Sequence, residues 1–294
     1  MQTHKFLILA IAISSSLFCH SQNELDTLLL GEMRVMYSKD HLADATFVGQ
    51  LCYGANDYFK ETIEPLDVPF QLMVLSQNDW PHYSAPGLIY GMPHYKGDGK
   101  TLAVAAEDND FWRMQLPDPA SIPSPYKELI PVVYNLNGEI SARYFFDLLA
   151  VHELGHAWHF AANLNTQRRW LSELYCNIML HTYIAEEKAE FLGALETIPA
   201  YWAGIDAGDL KYTTLKQFEE DYWTLGVENP FNYGWYQFRF HHAAKLLYDE
   251  AGAELNKRLW DFLKNHTDKL SDEELISLLE KEVHPFLAEL VRNW

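Results

Sequence analysis

The sequence predicts an α+β protein, with a small N-terminal lobe of mixed helix and sheet followed by a mostly α-helical lobe. Three observations lead there. Strand-like runs lie before residue 107, helical spacing of apolar residues dominates from 141 onward, and the pentapeptide His152-Glu153-Leu154-Gly155-His156 falls just after the change of pattern. Residues 23–140 and 141–294 are the expected lobes, with the motif helix at their junction, where clefts usually form.

In chain order, residues 1–22 come first. Lys5, an apolar run over 6–13 and a short polar stretch ending at Ser21 and Gln22 read as a secretory signal peptide, so the mature chain is expected to be secreted or periplasmic. That run is too short for a stable anchor, and no later segment is long and apolar enough to span a bilayer. Cys19 follows the bulky Phe18, which argues against lipoprotein processing there. Residues 33–38 and 69–75 read as strands, 40–63 as a helix, 80–87 as a loop, and 88–91 and 101–106 as two further strands around a Gly- and Pro-bearing stretch. Ser141 is a plausible cap for the motif helix, which runs to Asn163. Residues 164–167 form a short polar turn, and helices are expected over 168–195, 214–225, 236–251, 253–265 and 272–293. Ser271 caps the last and Pro285 kinks or splits it, while 198–208 and 226–233 are loops able to rim a cleft.

The pentapeptide fits the H-E-x-x-H zinc pattern. On a helix, residues four apart share a face, so His152 and His156 can offer two imidazole nitrogens to one ion. Glu153 lies about 100° round and can reach a water beside it. A catalytic zinc usually takes a third protein ligand. His159 lies about 10 Å along the axis from His152, too far to converge with it. Glu173 fits by length: the motif helix travels about seven residues beyond His156, turns, and returns five or six residues to bring Glu173 alongside. Asn177, one turn on, can then orient a histidine.

HELGH followed, after sixteen residues, by Glu173 within Trp170-Leu-Ser-Glu-Leu174 resembles the gluzincin metallopeptidases, the thermolysin and aminopeptidase N group. The resemblance implies a zincin-like catalytic domain holding one Zn²⁺ on His152, His156 and Glu173, with Glu153 as general base. It also implies a sheet edge that binds substrate backbone, for which 101–106 is the candidate, an ordinary interior strand being the other reading of that segment. A tyrosine that stabilises the oxyanion is expected early in a helix after the motif; Tyr236 matches that placement and Tyr233 is the close second. His241 and His242 follow as further donors. The spacing from HELGH to Glu173 is shorter than in thermolysin or aminopeptidase N, and no G-x-M-E-N sequence supports an aminopeptidase.

The formal charge of −19, from 41 acids against 22 bases, repels nucleic acid and anionic membrane, and a peptide or protein substrate is the partner that the gluzincin resemblance implies. Cys52 and Cys176 can pair in an oxidising compartment or stay as buried thiols. The expected activity is hydrolysis of peptide bonds. The alternatives are a catalytically silent peptide-binding module of the same fold, and a hydrolase of that fold acting on a non-peptide bond.

Overall fold

A computed structural model describes residues 24–96, 99–118, 120, 122–208 and 210–294. The signal-peptide reading of 1–22, with Cys19, lies outside the described residues. The chain is mixed α+β, with a small five-stranded sheet near the N-terminus followed by helices.

Strand β1 (Asp26–Leu30), which the sequence reading missed, pairs antiparallel with β2 (Met33–Tyr37) through a turn at Gly31, whose φ of 58° suits glycine. Helix α1 (Leu42–Thr62) then crosses to β3 (Gln71–Leu75), parallel to β2. After the one-turn helix α2 (Trp80–Tyr83) come β4 (His94–Tyr95) and β5 (Thr101–Ala105), and the sheet order is β1-β2-β3-β5-β4. Two expectations fail here. Residues 88–91 form no strand, because their carbonyls are claimed by indoles: Trp80 Nε1 donates to Leu88 O at 3.0 Å and Trp112 Nε1 to Gly91 O at 2.6 Å. Nor is β5 the edge strand, since β4 pairs with it antiparallel at Leu102 and Ala103 and itself forms the edge.

Two short helices, α3 (Asp110–Arg113) and α4 (Tyr126–Val133), and the hairpin β6 (Asn135–Leu136) with β7 (Glu139–Ile140) lead into the motif helix α5 (Arg143–Ala161). Arg143 fastens the start of α5, donating to Asp44 of α1 at 2.5 Å and to Asp147 at 3.3 Å. Helix α6 (Arg169–Glu187) returns beside α5. The turn between them has Asn163 and Gln167 at positive φ and is clamped from the far end of the chain. Gln167 Nε2 donates to His266 O and Asp268 O, and Arg168 pairs with Asp272.

The helix expected over 168–195 ends at Glu187, and α7 (Leu192–Ala203) occupies much of the expected 198–208 loop despite Pro199. Tyr134 makes this possible. Its buried hydroxyl donates to Ala194 O at 2.7 Å and accepts from Ile198 N at 3.0 Å, bridging the pair that would ordinarily bond directly in the turn before the proline. Helices α8 (Leu215–Glu228) and α9 (Pro230–Ala251) are separated by Asn229 alone, so 226–233 is not a loop. Helices α10 (Glu254–Asn265), α11 (Asp272–Leu278) and α12 (Pro285–Arg292) complete the chain; Ser271 caps α11, and Pro285 opens α12. One contiguous apolar core runs through sheet and helices. No helix among the described residues is long and apolar enough to cross a membrane.

Candidate metal centre

Helix α5 is buried on almost every side. Between Phe145 and His159 the only side chains not fully buried are Leu149, Glu153 and His156, at spacings of four and three, which is one helical stripe. His152, buried, sits beside that stripe. Against this helix α6 approaches closely at Gly155: a methyl group there would lie 3.1 Å from Cys176 Sγ and 3.2 Å from Cys176 Cα and Cβ. Glycine at this point of the motif is therefore a packing requirement. The close crossing delivers Glu173, three residues before Cys176, to both histidines: its Oε2 lies 3.3 Å from His152 Nε2 and 3.7 Å from His156 Nε2.

Each imidazole is held through its other nitrogen. His152 Nδ1 donates to Asn177 Oδ1 at 2.8 Å, the orienting contact expected from the spacing of Asn177, and its Nε2 faces Glu173. His156 Nδ1 lies 3.3 Å from Cys176 Sγ. His152, His156 and Cys176 lie close enough together to hold a metal ion. His159 turns elsewhere, stacking on Tyr175 with its Nδ1 toward Ser172. Cys52 and Cys176 are both buried free thiols.

Glu173 has further partners that the sequence did not disclose. Tyr222 of α8 donates to its Oε1 at 2.9 Å, and Gln237 of α9 donates to Oε2 at 3.0 Å. Burial acts to raise the Glu173 carboxyl, but the charge of His156 and hydrogen bonds from His152 and His156 outweigh it and hold the group well below the ordinary carboxylate range. Burial, then the charges of Glu173 and Glu153, push the Cys176 thiol well up. Glu153 reaches an apolar cavity of about 160 Å³ together with His152, Tyr233, Gln237 and His241. Burial raises its carboxyl to about 7, with the His152 charge opposing and Glu173 adding.

The two candidate tyrosines part company. Tyr233 lines this cavity, and its hydroxyl accepts from Gln237 Nε2 at 2.8 Å. Tyr236 does not reach it. Since α9 starts at Pro230 rather than at 236, Tyr236 lies two turns inside the helix. It is wholly buried, stacks on Trp294, and donates its hydroxyl to Thr214 O at 2.8 Å. His241 lies one turn beyond Gln237 on the cavity side, whereas His242 faces a different cavity. Met92 and Pro93, immediately before the edge strand β4, line the cavity, so the sheet edge nearest the site is β4 rather than 101–106. No protein-family model, curated protein or solved structure matches the chain.

Proposed function

We propose that this chain is an exported zinc-dependent metallopeptidase of gluzincin type, in which His152, His156 and Glu173 hold one Zn²⁺ and Glu153 is the general base. The observation that supports it most is the convergence of both imidazole Nε2 atoms on Glu173 Oε2, with Glu153 beside them in a cavity. Two imidazoles and a carboxylate suit zinc and leave a coordination position open, as catalysis needs. Cys176 is the weaker third ligand. Both imidazole Nε2 atoms face Glu173 Oε2, whereas the sulfur lies 3.3 Å from Nδ1 of His156, the opposite nitrogen of that ring, and so can hold His156 in place while the carboxylate shares the ion with both imidazoles. Cys176 then does for His156 what Asn177 does for His152.

When bound, zinc acidifies a water and polarises a carbonyl. The chain's own groups do the rest. Glu153 accepts a proton from the attacking water and passes it to the leaving amine, a task matched to a carboxyl lifted toward neutrality. Tyr233 accepts from Gln237 and its hydroxyl also touches that of Tyr222, so donation to the oxyanion requires its proton to turn from Tyr222 into the cavity. Tyr222 fixes the Glu173 carboxylate through Oε1 and Gln237 through Oε2. The segment at Met92 and Pro93 offers backbone beside Glu153 for an extended peptide, and the apolar cavity wall takes a side chain.

Metal analysis of the mature protein should find about one zinc per chain. Glu153→Gln should retain that zinc and the fold while losing hydrolysis of a mixed peptide library by at least about a hundredfold. A fully active variant would sink the mechanism, and an intact library with wild-type protein would leave a binding module in its place.

A further inference from the structure

A second cavity, of about 170 Å³, lies between α6, α9 and the C-terminal end of the chain, lined by Trp170, Leu174, Arg239, His242, Leu290 and Trp294 among others. Most of its wall is apolar. Into it the chain brings a charge with no counterpart. Arg113, Arg143, Arg168, Arg258 and Arg292 each pair with a carboxylate. Arg34, Arg169 and Arg239 pair with none among the described residues, and of these Arg34 and Arg169 are exposed while Arg239 is half-buried, in a chain with nearly twice as many acids as bases. The Arg239 guanidinium sits in the corner of two perpendicular indoles, Trp235 and Trp294, 4.8 and 4.9 Å from their ring centres, and its one hydrogen bond reaches Ala203 O at 3.5 Å.

The surrounding nitrogens are also unmatched. Arg239 Nε and Trp294 Nε1 are buried donors that find no acceptor among the described residues, and His242 Nδ1 is a buried ring nitrogen with no partner there. Buried donors without acceptors are costly and rare in folded proteins. Two such donors and an unpartnered ring nitrogen around one cavity, beside a half-buried guanidinium, point to a polar group that comes from outside the chain.

The geometry points to a binding site for a small monocarboxylate with an apolar body, and we propose it as such. A planar carboxylate matches the edge of a guanidinium. One cation balances one negative charge; a phosphate dianion would leave charge among apolar walls. A cavity of about 150 Å³ lined by apolar side chains accommodates benzene, which sets the size of the body. A free acid or the C-terminal end of a peptide could each present this chemistry.

Calorimetric titration of the whole protein with benzoate tests the proposal, with benzamide and inorganic phosphate as controls for charge and shape. Saturable benzoate binding is expected, weaker by at least about tenfold for benzamide, for phosphate, and for benzoate in Arg239→Gln, since charge-assisted bonds are among the strongest available here. Arg239→Lys should keep part of the binding. His242→Leu removes the unpartnered ring nitrogen without touching the two indoles, and should weaken benzoate severalfold even if Arg239→Gln fails to fold. Acetyl-Gly-Gly-Phe added to Glu153→Gln protein tests the peptide source: displacement of benzoate assigns the site to peptide ends, and no displacement assigns it to free acids. Equal affinity for benzoate and benzamide, benzoate binding indifferent to both Arg239→Gln and His242→Leu, or no saturable benzoate binding would each overturn the proposal.

Discussion

Gly155→Ala separates packing at the motif from ordinary helix preference. In a helix interior, alanine is favoured over glycine by about 0.8–1.0 kcal/mol, so propensity alone makes the substitution stabilising. The structure reverses the sign. The added methyl would meet Cys176 Sγ at 3.1 Å and Cys176 Cα and Cβ at 3.2 Å, and Cα is backbone that cannot rotate aside. Carbon contacts settle at about 3.5–4.0 Å, so α5 and α6 must part by roughly 0.3–0.8 Å. Overpacking of this kind costs about 1–3 kcal/mol, leaving a net loss of up to about 2 kcal/mol after the propensity gain. Zinc should suffer more than the fold. Ligand distances are held to within about 0.2 Å, and the parting acts directly between the imidazoles on α5 and the carboxylate on α6. Competition against a chelator should show zinc affinity down by at least about tenfold, with chemical denaturation of the metal-free protein giving the smaller structural term. A variant about 1 kcal/mol more stable with unchanged zinc affinity, as propensity alone predicts, would refute the reasoning.

Three further outcomes are expected. Tyr222→Phe and Gln237→Leu should each lower zinc affinity by about 10- to 100-fold, because they remove the groups that orient Glu173; unchanged affinity in both would reduce the network to a prop for α8 and α9. Tyr233→Phe should cut peptide turnover by roughly ten- to a thousandfold at constant zinc content. Tyr236→Phe should leave turnover intact and cost about 0.5–1.5 kcal/mol of stability for one lost hydrogen bond, since Thr214 O keeps its bond from Phe218 N, and the opposite pattern would return the oxyanion role to Tyr236. Glu64 accepts hydrogen bonds from Trp260 and Lys264, which hold its carboxyl below the ordinary 4.5. Its contribution is therefore present above pH 4.5 and is lost as acid protonates it, so melting curves of wild type and Glu64→Gln should converge as the pH falls below that value; a constant gap would exclude the linkage.

The histidine pair, Glu153 and Glu173 were legible because their geometry is local. Two helices joined by a short turn fix the height of Glu173 by residue count, and Asn177 follows one turn later. Tyr222 and Gln237 were not legible, because nothing local says that α8 and α9 will pack against that carboxylate. Tyr236 was misplaced through a boundary. Gly226, Asn229, Pro230, Asn232 and Gly234 read as loop, yet Pro230 opens a helix at its first turn, where proline is well suited. That moved the cavity-facing row to Tyr233, Gln237 and His241. Proline misled again at Pro199, since the hydroxyl of Tyr134, far away in sequence, bridges the preceding turn. The strand expected over 88–91 was misread for a similar reason: the indoles that capture the carbonyls of Leu88 and Gly91 belong to other segments.

Helix α5 has one open stripe and is enclosed elsewhere by the sheet, α1, α6 and α7. It is thus the fixed jaw of the cleft. To shift it would disturb the core on several sides at once, and interiors packed this densely do not deform gradually. On the proposed peptidase reading, admission of a long chain between α5 and the opposite wall must therefore be the work of that wall: the turn at Met92 and Pro93, the segment at Phe111 and Gln115, and the first turn of α9 behind Asn229. Hydrogen exchange should be slowest in the amides of α5 and α6 and faster by orders of magnitude in the first turn of α9, with substrate-like ligands slowing the latter and leaving the former unchanged.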